Sequence, residues 1–325
     1  MAEVVPGEDR RDVPTDQVEA GMQAIVFDEF GGPDVLHLKE IDEPHAGPGE
    51  VRVAVRVAGV NPVDFKVRHG WMEQAFHTPL PAVPGTEVAG VVDETGEGVT
   101  GFAVGDEVVG WAKGGSYAQH ALTGVIAHKP AALSWEQAVG IPVAGETSAR
   151  VLDLLDVKEG ETLLVHGAAG AVGSVAVQLA VARGATVIGT ASERNHDFVR
   201  SLGATPVTYG DGLVERVRAL APQGVDAVLD TAGKGALPDS IELRGGTTDR
   251  VVTIADMAAG DLGVTFSSGG IPPEKQRAGL AEHLTLAADG ALHVRIGERY
   301  ALADAAKAQA ESEAGHAAGK LVITL

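Results

Sequence analysis

From Met22 the chain alternates apolar and polar positions with a period of two. "MQAIVFDEF" predicts a first strand and "FGGPDVL" a turn, while "EVRVAVRVAGV" sets Val51, Val53, Val55 and Val57 against polar or small neighbours, as in a strand with one buried face. Short strands follow in "EVAGVVDE", "DEVVGWA" and "YAQHALT", separated by Gly and Asp turns, so this first part is β-rich. After Pro142 the rhythm becomes strand then helix, repeated. "ETLLVHG" leads to a helix from about Val172, "ATVIGTA" to "ERNHDFVRSLG", "TPVTYG" to "LVERVRALA" and "VDAVLDTAG" to a segment near Leu237, before "RVVTIA" and "LGVTFSS". Such alternation predicts a parallel sheet with helices on both faces. The tail from Pro272 reads as a helix, a second helix from Ala301 and a closing strand, "KLVITL", of the kind that joins an existing sheet. Residues 1–21 show neither period and predict a mobile extension, and Arg10 and Arg11 lack the apolar stretch of an export signal.

At 325 residues the chain exceeds what one ordinary core fills, so two domains are expected. No apolar run approaches the roughly 20 residues that cross a bilayer, and the expectation is a cytoplasmic protein without a membrane partner. The absence of cysteine excludes disulfides, thiolate metal ligands and cysteine nucleophiles. A net charge of −20 repels nucleic acid, and it requires any anionic cofactor to be held locally, by backbone N–H groups and a few placed cations.

"LLVHGAAGAVGSVAVQLA" carries the first chemical signal. Gly167 permits a tight turn out of a strand, Gly170 lets backbone approach a pyrophosphate, and Gly173 lets the helix pack closely on the sheet. The loop Gly167, Ala168, Ala169, Gly170, Ala171, Val172 and Gly173 thus offers a helix N-terminus to phosphate oxygens. Taken alone, three spaced glycines also fit a turn that binds nothing; the strand before, the helix after and the second strand beyond favour a dinucleotide. That second strand ends in Thr190, Ala191 and Ser192, where an NAD site places an acid for the ribose 2′-hydroxyl. Ser192 and Arg194 instead suit a 2′-phosphate, which favours NADPH, while a Glu193 carboxylate turned into the pocket would return the balance to NADH.

With these motifs, "AGVNPVDFKVRHG", "VPGTEVAGVV", "SLGATPVTYGD" and "GKLVITL" stand in an order and spacing that resembles the zinc-free quinone oxidoreductase branch of the medium-chain dehydrogenase/reductase superfamily. The resemblance runs from Met22 to Leu325. It implies an α/β protein: a Rossmann-type doubly wound sheet over 144–272, and a β-rich GroES-like catalytic domain formed by both chain ends, 22–143 and 273–325. It also implies NADPH in the cleft between them, and a homodimer. Zinc-binding relatives carry a Cys at the position of Asn61, a His at that of Thr86 and a third ligand near Gly140, so catalytic zinc is not expected here.

Without a Lewis acid, hydride delivery to a quinone or an α,β-unsaturated ketone remains accessible. The resemblance sets Asn61, Asp64 and Lys66 beside the nicotinamide: Asn61 as an oxygen-binding donor, Lys66 as oxyanion partner or proton source, Asp64 to orient Lys66. Each has a plainer alternative, a turn residue for Asn61, a solvent-facing lysine for Lys66 and a turn-closing carboxylate for Asp64. Further cofactor contacts carried over are Thr147, Tyr209, Ile254, the stretch Phe266, Ser267 and Ser268, and Lys320 at the phosphates. Phe65, Trp71, Trp111 and Tyr117 are either a substrate wall or core, and His166 is expected to be a packed imidazole. Two rivals share the same motifs: an enoyl reductase dedicated to one biosynthetic, polyketide-type intermediate, and an NADPH-binding protein that turns nothing over.

Overall fold

In the computed structural model, which describes residues 21–325 other than 76 and 316, the early alternation becomes β1 (Gly21–Val26), β2 (His37–Asp42), β3 (Val51–Val60), β4 (Glu87–Thr95), β5 (Glu107–Lys113) and β6 (His120–His128). The extension expected at 1–21 lies outside the described residues except for Gly21. A short helix, α1 (Pro62–Arg68), follows β3, and α2 (Trp135–Val139) and α3 (Pro142–Leu154) lead out of this part. Val51, Val53, Val55 and Val57 are all buried, as their spacing requires.

Strand and helix then alternate as β7 (Thr162–His166), α4 (Ala171–Ala182), β8 (Thr186–Thr190), α5 (His196–Ser201), β9 (Thr205–Val207), α6 (Leu213–Leu220), β10 (Ala227–Asp230), α7 (Leu237–Leu243), β11 (Val251–Thr253), α8 (Ala259–Leu262) and β12 (Thr265–Phe266). The sheet order is β12-β11-β10-β7-β8-β9, every pair parallel. The chain runs outward from β7 to β9 and then returns to β10 on the other side of β7. That reversal opens a crevice above the carboxyl ends of β7 and β10, where doubly wound sheets take their ligands.

The tail supplies α9 (Pro273–Ala288), β13 (Ile296–Ala301), α10 (Ala305–Ala314) and β14 (Lys320–Thr324). β14 pairs antiparallel with β3, setting Val322 opposite Gly59, and the catalytic sheet runs β13-β14-β3-β4-β5-β6. β3 also meets β6, so the sheet curls back on itself. The closing strand therefore completes the sheet begun by the first part of the chain. β13 was not expected: the second helix of the tail begins at Ala305, not Ala301, because Ile296–Ala301 extends along the sheet edge. The half-exposed pattern of "IGERYA" shows no alternation to read.

The two halves share packing. Ala144 of α3 and Val175 of α4 lie in one cluster with Val57, Leu284 and Val322, and Gln178 of α4 exchanges hydrogen bonds with the backbone of His293.

Candidate active site

The glycine loop has the geometry its spacing implies. Gly167 takes φ +76°, and a Cβ on Gly173 would come within 2.2 Å of the Gly167 carbonyl oxygen, so α4 can pack here only on glycine. Gly170 is the N-cap of α4 and offers no side chain to the helix's first N–H groups. A Cβ there would meet a single atom, the Gly167 oxygen, at a tight 3.3 Å. Exposed N–H groups, positive helix end and unfilled cradle together fit a pyrophosphate. Across the crevice the Asp230 carboxylate accepts from the N–H groups of Ala232 and Gly233 and from the Thr253 hydroxyl, fixing the turn that faces the loop. His166 is buried in β7 with Nε2 2.9 Å from the Ser240 hydroxyl, and burial pushes its pKa down to about 4. It is the packed imidazole its setting implied.

Ser192, Arg194 and Tyr209 stand at the ends of β8 and β9, with Tyr209 largely exposed. The Ser192 hydroxyl accepts from Asn195 Nδ2 at 3.1 Å, and both Glu193 and Arg194 face solvent.

Where β3 runs into α1, a buried polar network forms. The Asn61 amide donates to Glu87 Oε2 at 2.9 Å, and its carbonyl accepts from Lys320 Nζ at 2.6 Å. Lys320 and Glu87 form an ion pair, 1% and 0% exposed. Glu87 Oε1 accepts the Val143 N–H at the start of α3, joining β4, β14 and α3 through one carboxylate. Asp64 accepts from the Asn61 N–H at 2.8 Å, the Thr86 hydroxyl at 2.7 Å and the Tyr117 hydroxyl at 3.0 Å. Burial raises its pKa to about 6 against the pull of these donors, and Tyr117 is pushed well up by the same burial.

Two roles implied by the resemblance are corrected by this network, and the open reading of Tyr117 is decided. Asp64 does not orient Lys66: its oxygens are taken by Asn61, Thr86 and Tyr117. Lys320 is not at the phosphates, because Glu87 and Asn61 hold its ammonium in the interior. Tyr117 belongs to the core, its ring fully buried and its hydroxyl spent on Asp64. Phe65 is buried edge-to-face against Trp71, which is 59% exposed, and Trp111 packs against the core beside Val57 and Val109. Lys66 is half-buried and has no hydrogen bond or ion pair among the described residues; burial lowers its pKa.

The network also tests zinc. At the positions where zinc ligands stand in relatives, the Thr86 hydroxyl donates a hydrogen bond to Asp64, Asn61 is engaged through both amide atoms, and Gly140 has no side chain. A buried ammonium already supplies positive charge there. Among the described residues no three His, Cys, Asp or Glu side chains gather as a metal site. These residues do not fit zinc.

At the far side of the crevice, α3 and the segment after β12 meet. The Thr147 hydroxyl donates to Glu146 Oε2, Arg150 Nε binds Glu146 Oε1 at 2.7 Å, and Arg150 Nη1 reaches the Ser267 hydroxyl. Ser267 N–H pairs with the Thr253 carbonyl, and Ile254 N–H with that of Asp230. Thr147, Ile254 and Ser267 are thus framed together, with Phe266 and Ser268 exposed beside them. Sequence reasoning missed Glu87, Arg150 and Asp230. Glu87 and Lys320 carried a usable signal, each a charge at the head of an apolar strand and so needing a buried partner.

Comparison with known proteins agrees. The alcohol dehydrogenase GroES-like domain matches residues 47–145, and the family described as zinc-binding dehydrogenase matches 202–323. A quinone oxidoreductase of Pseudomonas aeruginosa is 33% identical, across 92% of this chain and 98% of its own. The chain spans only 7% of a pikromycin polyketide synthase component of Streptomyces venezuelae, to which it is 38% identical over 76% of its own length. The solved quinone oxidoreductase of Coxiella burnetii superposes with a TM-score of 0.83 at 32% identity, covering 94% of this chain and all of that one. A mycobacterial protein solved with NADPH gives 0.82 at 28% identity over 94% of this chain and all of its own. With its glycine cradle, its curled sheet and its similarity to two quinone oxidoreductases over nine-tenths or more of both chains, the chain belongs to the quinone oxidoreductase branch of the medium-chain dehydrogenase/reductase superfamily.

Proposed function

We infer that this oxidoreductase uses NADPH, without zinc, to reduce a quinone or an α,β-unsaturated ketone. The observation that carries the reading is the Asn61 amide, held by Lys320 and Glu87 where relatives have a metal ligand. One Nδ2 hydrogen is spent on Glu87; the other remains to donate to a substrate oxygen on which negative charge develops. NADPH, when bound, supplies hydride to the β-carbon of an enone or to a quinone. The N–H groups at the start of α4 hold the pyrophosphate, and Ser192 and Arg194 take the 2′-phosphate, with Tyr209 alongside. Thr147 and the backbone of Ile254 and Phe266 to Ser268 orient the carboxamide end. Lys66 holds the proton that the reduced substrate needs, its partial burial easing release.

Support for the cofactor comes from the mycobacterial relative solved with NADPH and from the absence of an acid at the end of β8. A homodimer in the cytoplasm is part of the same reading. The similarity to part of a polyketide synthase component favours one second reading, reduction of a dedicated biosynthetic enoyl intermediate by the same site.

Titration with NADPH and NADH by nicotinamide fluorescence, then addition of a simple quinone and a simple enone, tests both. Tight NADPH binding with consumption supports the first. Binding without consumption by a broad set of acceptors removes it and leaves the dedicated reductase. The double variant Ser192→Ala, Arg194→Ala should weaken NADPH far more than NADH.

A further inference from the structure

A cavity of about 270 Å³ lies between the turn after β8 and the end of the catalytic half, lined by Arg194 and Asn195 on one side and by Arg295, Glu298 and Glu311 on the other. Arg295 is fixed in place. Its Nη1 donates to Asn195 Oδ1 at 3.1 Å, its guanidinium lies 4.9 Å from the centre of the Phe198 ring, and its carbonyl accepts the Lys320 N–H. Asn195 in turn donates to the Ser192 hydroxyl. Ser192, Asn195 and Arg295 therefore form one hydrogen-bonded chain across the two halves.

We propose that Arg295 is a second guanidinium of the ribose 2′-phosphate seat, brought by the catalytic half to face Ser192 and Arg194. The inference rests on the NADPH reading above. Ser192 uses its oxygen as acceptor for Asn195 and keeps its hydrogen to donate. Arg295 spends one N–H on Asn195, and its Nε and Nη2 have no partner among the described residues. Arg194 likewise makes no ion pair among them. Two guanidinium groups lining one cavity, with the Ser192 hydroxyl joined to it through Asn195, suit a dianionic phosphate monoester and offer a bare ribose hydroxyl far less. The two acids opposite oppose an anion, but the Tyr300 hydroxyl engages Glu311 and solvent screens the exposed Glu298. Because Arg295 and Arg194 come from different halves, the 2′-phosphate ties those halves together and NADH does not.

The test is equilibrium binding. NADPH and NADH are titrated into the wild type, Arg295→Gln and Arg194→Ala, and adenosine 2′,5′-bisphosphate and adenosine 5′-monophosphate are used as competitors. Arg295→Gln should weaken NADPH and the bisphosphate by about tenfold and leave NADH and the monophosphate within about twofold. NADPH unchanged in Arg295→Gln but weakened in Arg194→Ala overturns the assignment of Arg295 and leaves the proposed function standing. Equal loss of NADPH and NADH makes Arg295 a prop for the turn and also overturns it. A wild type that binds both dinucleotides equally removes the NADPH reading itself. Should the glutamine variant fail to fold, Arg295→Lys decides: it keeps the stem over Phe198 but not the fork, so NADPH alone should weaken by a few-fold, and an unaltered preference refutes the proposal.

Discussion

Lys320, at the start of the last strand, and Glu87, at the start of β4, form an ion pair that solvent does not reach. Each charge is stable in the interior only through the other and through Asn61. Lys320→Met leaves the Glu87 carboxylate buried without its cation and should cost about 3–5 kcal/mol in urea unfolding. Adding Glu87→Gln removes the stranded charge while retaining an acceptor for Val143 N–H, so the double variant should regain part of that loss. Strictly additive losses would show that the two residues are not coupled.

Asp64 gives a pH dependence of known sign. Its folded pKa, about 6, lies above that of an exposed aspartate, so the folded state binds the proton more tightly. This group's contribution is complete below about pH 4 and is lost as pH rises through about 6. Asp64→Asn removes this loss, so between about pH 4 and 6 its melting temperature should change more favourably with rising pH than that of the wild type, whatever the sum of the other groups. His166, whose pKa is lowered to about 4, acts oppositely, and its contribution is lost as pH falls from about 6.5 through 4.

Gly170 and Gly173 should separate binding from folding. Gly173→Ala drives a methyl into the Gly167 carbonyl, displaces α4 and should lower stability by about 1–3 kcal/mol. Gly170→Ala asks the Gly167 oxygen to give by only a few tenths of an ångström, so it should cost less stability than Gly173→Ala while NADPH affinity drops by about tenfold or more. Full NADPH affinity in Gly170→Ala would place the pyrophosphate elsewhere.

Lys66→Met should lower turnover by about 10²-fold and leave the NADPH dissociation constant within about twofold. Turnover equal to the wild type would take Lys66 out of the chemistry and leave solvent as the proton source.

The doubly wound sheet and the glycine loop were legible because both are local. Gly167, Gly170 and Gly173 act within one turn, and β7, β8, β10 and β11 are short apolar runs between turn residues. β3 was legible for the same reason, its valines lying two apart. What escaped is what the fold brings together from a distance. Nothing near Asn61 announces Lys320, and Arg295 gains meaning only when "HVRIGERY" is laid beside the turn after β8. For Asp64 the turn-closing reading holds through the Asn61 N–H, while Lys66 is its neighbour only in sequence and Thr86 and Tyr117 are its neighbours in space.

The place of β14 between β3 and β13 has a consequence for how the protein is made. All strands of the nucleotide-binding sheet lie between Thr162 and Phe266, so that sheet can assemble while the tail is still being synthesised. The catalytic sheet cannot, since β3 waits for a partner that emerges some 260 residues later, a closure of very high contact order. Until then residues 57–60 of β3 lack their partner along one edge, and the nascent chain carries a finished cofactor cradle beside an unfinished barrel that is open to chaperones and to mispairing.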